Sequence, residues 1–595
     1  MMLRRRRELR EWLDLRRQLT ETRMSRREAA KMGLLLTGGT LLGKGLSAPP
    51  AAAQVGDTDN PVSPPTRPWQ DALPVPELAG DVPSYPSAVP HQYDARFPAQ
   101  KLYRLSLEER QHSFHSDLPT SPIWGYDGTF PGPTIDARYG QPIRIRYVNN
   151  LPALNEARGF GVPQEITHLH NFHTASESDG GPWDWVNPGG FRDHHYCMAR
   201  AGFSVPDTIP AEFRDAEGGD VRETLTTLFF HHHRPEFTAA NVYRGLVGFF
   251  RIFDEKDTGD ETTGWRLPSG PHDIPMVIAD KQFDPDTGEL IFDQFNTDGF
   301  LGDKLTVNGK IQPFMEVKRR KYRFRILNGG PARFYTLVLR HDGSNQPFTQ
   351  LTDNGNFLTR PRRNLTSLEL QVAERCDLVV DFSRFPSGAK VYLANIMAMK
   401  DGRRPDRDGA LNPDTVKNQL VEFRVTGGAV ADPSRIPRRF RPFPPVNLDE
   451  AVRERVFEFE RRNGAWQING KLFDPDVDHS AAFLANPPIQ VRRNTAEIWT
   501  LINRSGGWEH PVHNHLEEAF VLSATGGPGT AKRQARVDIH RLGRNSTIRF
   551  FQRFRDFPDP DFAAPSRGEA GRYVMHCHNM SHEDDAMMLT WNVVP

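Results

Sequence analysis

Three strand-like segments, each closing on an asparagine, constrain this chain more than any other feature: PIRIRYVNN, KYRFRILNGG and AEIWTLINRSG. Their asparagines, Asn149, Asn328 and Asn503, are 179 and 175 residues apart. In Ile143-Arg144-Ile145-Arg146-Tyr147 and Tyr322-Arg323-Phe324-Arg325-Ile326, apolar side chains alternate with arginines, the period-two pattern of half-buried antiparallel strands. A recurrence this long is too large for a small solenoid repeat and right for a domain, so the chain reads as mostly β, with three consecutive copies of one β-sandwich unit. A length of 595 residues, beyond what one core can bury, agrees. Turn-rich segments, DTGDETTGWRLPSGPHD and VTGGAVADPSRIPRRFRPFPP, separate the copies. The units are then 91–257, 273–427 and 451–595, preceded by an extended arm, 54–90, rich in Pro and Ala.

Residues 1–53 read as an address. Ser25-Arg26-Arg27-Glu28-Ala29-Ala30-Lys31 precedes a short apolar stretch, Met32 to Leu46, and then Ala51-Ala52-Ala53, the pattern of a twin-arginine export signal handled by the matching export machinery. The apolar stretch is shorter than the ~20 residues of a spanning helix, so no stable membrane span is expected. The expected location is periplasmic or secreted. This leader holds 12 of the 75 basic and 5 of the 75 acidic residues, leaving 63 against 70, a net charge of −7. A nucleic-acid partner, which needs a basic surface, is not expected. Only Cys197, Cys376 and Cys577 occur, too few for a disulfide framework; Cys197 and Cys376 could pair, but buried free thiols are the simpler reading.

Of 21 histidines, 12 lie in four clusters: HLHNFH (His168, His170, His173), HHH (His231 to His233), HPVHNH (His510, His513, His515) and HCHNMSH (His576, His578, His582). The first two fall in the first unit and the last two in the third. Residues i and i+2 of a strand share a face, so each His-x-His presents two imidazoles together. Four such pairs are too many for one metal. Imidazole-rich sites suit copper among other metals, and one Cys with two His and a weak Met is the ligand set of a blue-copper electron-transfer centre. Cys577 can thus join His510, His582 and Met587 on one face, while His576 and His578 serve other ions on the opposite face.

These motifs, with HSDLPTSPIWGYDGTFPGPTI, NVYRGLVGFF, KLTVNGKIQPFMEVKRRKYRFRILN and VAERCDLVVDF, resemble a three-domain multicopper oxidase of the bacterial spore-coat laccase and bilirubin oxidase branch. The resemblance implies three cupredoxin-like Greek-key β-sandwich domains, the middle one without copper. It implies four copper ions: one type 1 ion on His510, Cys577, His582 and Met587, one type 2 ion on His168 and His513, and a type 3 pair on His170, His231, His233, His515, His576 and His578. Asp179 and Glu583 match acidic positions that the family places near the trinuclear cluster, where dioxygen reduction consumes protons. His173 and His232 are expected beside the ligands rather than among them, His194 and His195 away from metal, and Met588 in packing.

The implied activity is laccase-like: single electrons from a small phenolic, aromatic amine or tetrapyrrole donor reduce dioxygen to water. An alternative donor is Mn(II), and less so Cu(I), because Glu509, Glu517, Glu518, Asp584 and Asp585 adjoin the type 1 histidines in sequence and Mn(II) prefers oxygen ligands. Alternation would put Glu517 and Glu518 on opposite faces. A rival of another class is a copper-free structural envelope protein on the same fold, against which the complete ligand set speaks.

Overall fold

The structure is a computed structural model that describes residues 62–85, 90–91, 93–478, 480, 488–527, 536–557 and 571–594. The export signal read over 1–53, and the arm before residue 62, lie outside them.

Six sheets form three pairs in chain order. Strands between Lys101 and Phe253 make two four-stranded sheets, those between Asp273 and Ala429 an eight- and a six-stranded sheet, and those between Ala451 and Val594 a six- and a five-stranded sheet. No strand of one group pairs into a sheet of another among the described residues. Residues 69–82 run extended over two of these groups: Trp69 and Leu73 donate backbone N–H groups to Gln312 and Phe314, then Ala79 and Val82 to Thr134 and Leu102.

The recurring segments are the strands Ile143–Asn149, Lys321–Asn328 and Thr495–Asn503. Each pairs in parallel with one neighbour and antiparallel with another, where antiparallel pairing was expected. Their asparagines do the same work three times. Each side-chain carbonyl accepts the N–H two residues on, from Leu151, Gly330 and Ser505 at 3.1, 3.2 and 2.9 Å. Each amide donates onward to carbonyls of following loops, including Val186, Arg333 and Trp508. A buried amide satisfied this way closes the loop after the strand without needing sheet hydrogen bonds.

The arginine faces are not solvated. Arg323 and Arg325 are fully buried against the first unit: Arg323 bonds Asp377 and Asp257 at 2.8 Å each, and Arg325 grips Asp273 through two nitrogens at 2.8 Å. Arg146 pairs bidentately with Asp193 at 2.7 and 2.8 Å. Period two reports only that two faces differ, and here the polar face meets carboxylates instead of water. Removing one partner of such a buried pair typically costs ~3–5 kcal/mol. Arg323→Ala should therefore lower the thermal unfolding midpoint by several degrees, and a variant melting like the parent would show the network to be dispensable.

Candidate metal centres

The two inner pairs of His-bearing strands come from different sheets. His168 and His170 sit on the strand Thr167–His170, which pairs antiparallel with Thr227–His232 so that His168 lies opposite His231. In the third unit, His510–Asn514 pairs with Arg572–Cys577, setting His513 opposite His576 and Val512 opposite Cys577. Alternation then acts as expected. Cys577 packs into the third unit's core while His576 and His578 face the first unit's histidines. Within each His-x-His pair the ring centroids are 4.7–5.7 Å apart.

All eight of these rings, His168, His170, His231, His233, His513, His515, His576 and His578, are at most 1% exposed. Ligand atoms of His168, His170 and His231 lie within 4.8 Å of one another, as do those of His168, His513 and His515 and those of His233, His515 and His576. Burial, and then neighbouring rings, push His168, His170, His513, His515 and His578 well below the usual imidazole range, and burial brings His231 and His233 to about 3. These seven rings are therefore neutral, each with one donor and one lone pair.

On five of the rings the donor is spoken for. Nδ1 of His168, His231 and His513 donates to the carbonyls of Asp179, His232 and Asp538 at 2.5, 2.8 and 3.1 Å, and Nδ1 of His515 donates to Asp179 Oδ2 at 2.6 Å. Nε2 of His170 donates to Asp538 Oδ2 at 2.6 Å. Opposite nitrogens on His168, His170, His231 and His513 have no protein partner, and Nε2 of His576 faces Nε2 of His515 at 3.4 Å and of His233 at 3.3 Å. Buried lone pairs aimed at one another are unfavourable unless a cation sits between them. The donor set fits metal.

A second group is smaller. Sγ of Cys577 is 3.4 Å from His510 Nδ1 and 3.5 Å from His582 Nδ1, and these nitrogens are 3.1 Å apart. The outer nitrogens fix the tautomers. Ser505 Oγ–H donates to Asn503 Oδ1, leaving its oxygen to accept from His510 Nε2 at 2.7 Å, while His582 Nε2 donates to the Asp298 carbonyl at 3.2 Å. Both Nδ1 lone pairs point at the sulfur. Met587 is fully buried, and its carbonyl accepts from Cys577 N. Burial pushes the Cys577 thiol well up, so an apolar pocket holds a group that functions as a ligand only when ionised.

Residues 446–595 and 108–182 each match a family model described as multicopper oxidase. Over 501 residues, the chain is 30% identical to the bilirubin oxidase of Albifimbria verrucaria, covering 82% of this chain and 76% of that protein. It is 31% identical over 539 residues to a laccase of Haloferax volcanii, covering 84% and 83%. The chain belongs to the multicopper oxidase family. A solved multicopper oxidase, McoA of Aquifex aeolicus, superposes with a TM-score of 0.67 at 25% identity over 88% of this chain and 99% of that one, which gives the cupredoxin-type sandwich fold. A multicopper oxidase is an oxidoreductase that uses dioxygen, and copper is the metal its histidines are built for.

Around its metal centres this oxidase places the remaining polar residues as follows. His173 donates to Asp556 at 2.7 Å, His232 bonds the Gln164 carbonyl at 2.6 Å, and His195 bonds the Phe97 carbonyl at 2.8 Å. Met588 packs with Trp183, Phe473 and Val574. Cys197 and Cys376 are free thiols in separate cores. Asp179 is 2% exposed and burial pushes its carboxyl well up; Glu583, equally buried, is held below its usual range by His576 and His233 against the effect of burial, with Oε2 3.1 Å from His576 Nδ1.

The carboxylates next in sequence to His510 and His582 do not form a solvent-facing rim. Glu517 and Glu518 lie in the bend after His510–Asn514, where strand alternation does not operate, and both turn inward: Glu517 onto Arg555 at 2.6 Å, Glu518 onto Arg536 at 2.6 Å. Asp584 accepts the Thr238 and Ala239 N–H groups at the start of the helix Thr238–Arg244 at 2.8 and 3.0 Å. Glu509 pairs with Arg407 at 3.2 Å, and Asp585 accepts from Trp466 N at 3.3 Å.

Arg536 and Arg555 also clasp Glu223 of the first unit. Burial alone would raise this carboxyl, but the two guanidiniums hold it at about 2 against an ordinary 4.5. A depressed carboxylate contributes stability that is present above its unfolded value and lost as pH falls through its folded one. Thermal stability should therefore fall between pH 4.5 and about 2, and Glu223→Gln should flatten that part of the profile. An unchanged profile in the variant would assign acid sensitivity elsewhere.

Sequence reasoning missed Ser505, Asp298, Asp538 and Arg375. Arg375 and Ser505 lie inside the quoted segments VAERCDLVVDF and AEIWTLINRSG, but no local pattern marks any of the four as the support of a ligand. Only Asn503 was marked, as punctuation of a repeat, and it proves to anchor Ser505 behind His510.

Proposed function

We propose that this oxidase is laccase-like, taking single electrons from a small phenolic or other aromatic donor and passing them to dioxygen. The observation that carries the reading is the tripeptide His576-Cys577-His578, whose sulfur belongs to one buried ligand group and whose imidazoles belong to the other. His510, Cys577, His582 and Met587 would hold a type 1 copper, His168 and His513 a type 2 copper, and His170, His231, His233, His515, His576 and His578 a type 3 pair, four ions in all. Copper bound at these positions supplies reversible one-electron transfer and the activation of dioxygen that zinc cannot give.

The chain's own residues do the rest. Backbone continuity from Cys577 to His576 and His578 gives an electron a one-residue covalent route between the groups. Asp298, Ser505 and Asp538 hold the outer nitrogens of His582, His510 and His170 so that the inner ones face the metal. Asp179 bonds His515 with one oxygen and keeps the other, Oδ1, buried 3.5 Å from His168 Nδ1 with no hydrogen bond, while Glu583 lies between His576 and His233; both are placed to hand on protons that dioxygen reduction consumes. Residues 1–53 support export through the twin-arginine route to the periplasm or medium, and no helix among the described residues is long and apolar enough to cross a membrane.

An organic donor is favoured over Mn(II) by the surroundings of Glu509. The carboxylates proposed for a cation are each committed to an arginine or a backbone N–H. A cavity of about 330 Å³ beside Glu509 is lined by Lys400, Arg404, Arg407 and Arg544 as well as by Asp401, Asp406 and Asp408, so its basic groups offset its carboxylates. Steady-state oxygen consumption by the copper-loaded protein should be faster with a methoxyphenol or bilirubin than with Mn(II) or Cu(I). Faster turnover of Mn(II) than of every organic donor would reverse the assignment.

A further inference from the structure

The middle unit supplies no histidine to either ligand group, yet one of its arginines reaches the trinuclear site. Arg375 lies on the strand Arg375–Asp381 and is fully buried. Its Nη1 donates to Asp538 at 3.0 Å (Oδ1) and 2.9 Å (Oδ2). Asp538, in the third unit, accepts His170 Nε2 at 2.6 Å through Oδ2, and its backbone carbonyl accepts His513 Nδ1 at 3.1 Å. His170 belongs to the first unit. One residue from each unit therefore meets at a single carboxylate, none of the three exposed to solvent.

A second contact follows the same line. Arg375 Nη2 donates to the Asn354 carbonyl at 3.0 Å, and the same oxygen accepts Nδ2 of Asn171, the residue after His170, at 3.0 Å. The His170 ring itself is stacked between Phe229 at 4.4 Å and His513 at 3.8 Å, so its plane is set by packing and its flip state by Asp538. With Nε2 tied outward, Nδ1 is the atom left facing the cluster, and it has no protein partner.

We propose that Arg375 is a positioning residue for the trinuclear centre: by gripping the Asp538 carboxylate it fixes His170 with Nδ1 inward, and so makes the middle unit a working part of copper binding. The guanidinium holds the Asp538 carboxylate through Nη1 and the Asn354 carbonyl through Nη2, a spread of rigidly placed donors that a single ammonium lacks. Loss of such an outer partner typically weakens metal affinity or activity by ~10–100-fold. The inference rests on the proposed copper assignment.

The test is copper binding, followed by chelator competition and by metal-to-protein ratio, with the Cys577-dependent colour as an internal reference. Arg375→Met should keep the colour while the three other ions are given up ~10–100-fold more readily, and Arg375→Lys should recover only part of the loss. Because Arg375→Met strands a buried carboxylate, the double variant Arg375→Met/Asp538→Asn is measured beside it: thermal stability should recover and copper retention should not. Parental copper retention in Arg375→Met, or recovery of retention together with stability in the double variant, would overturn the proposal and leave Arg375 a purely structural ion pair. A parent chain that takes up no more than the coloured ion would instead overturn the copper assignment itself.

Discussion

Cys577→Ser will be a folded and colourless protein. Charge transfer from a thiolate to copper gives a blue site its colour, and Cys577 Sγ lies 3.4 and 3.5 Å from the Nδ1 atoms of His510 and His582. The substitution removes one heavy-atom type and almost no volume from a side chain packed among Val512, Met575 and Met587 in the core, so the sheet should tolerate it. Turnover should fall by more than the ~100-fold typical of losing an outer-sphere partner, because a direct ligand and the electron route are lost together. Absorption spectroscopy and oxygen uptake read both effects. A surviving visible band would place the coloured ion elsewhere.

The second large effect separates the two halves of the reaction. His168→Ala and His576→Ala each remove an imidazole from the inner group and leave His510, Cys577 and His582 untouched. Colour should persist and bleach on adding a phenol under nitrogen, showing that electrons still enter. Readmitting oxygen should restore the colour at least ~100-fold more slowly than in the parent, because a ligand itself is missing and not merely its support. His576 is the sharper case, since its Nε2 faces both His515 and His233. Parental reoxidation in copper-replete samples of both variants would dissolve the division into two groups.

Much of this was legible in the sequence because it depends on local periodicity. His-x-His spacing on a strand fixes which rings share a face, and a cysteine between two histidines must look the other way; both hold in the structure. The three asparagine-terminated strands announced the repeated unit for the same reason. What stayed hidden depends on tertiary encounters. Arg323 and Arg325 look like a solvated face until the first unit supplies Asp257 and covers them. Glu517 and Glu518 sit next to a ligand strand, yet a bend turns both onto arginines, 38 and 18 positions further on in sequence, a partnership no pattern announces. Arg375 is an ordinary strand residue and Asp538 a bend residue between Arg536–Val537 and Ile539–Leu542, and no local pattern marks either.

The repeated asparagine has a consequence for how such a protein can change over time. In all three units its side chain closes the following loop through the N–H two residues on, and only the identity of that residue differs: Leu151, Gly330 and Ser505. The serine alone brings a hydroxyl, and it is this hydroxyl that turns His510 toward the sulfur. The backbone contact that folds the loop is thus independent of the side chain that equips it. A duplicated unit can acquire or shed its electron-entry site by substitutions at such positions while the hydrogen bonds of its scaffold stay as they were, which makes the redox site an accessory carried by the fold and not a condition of folding.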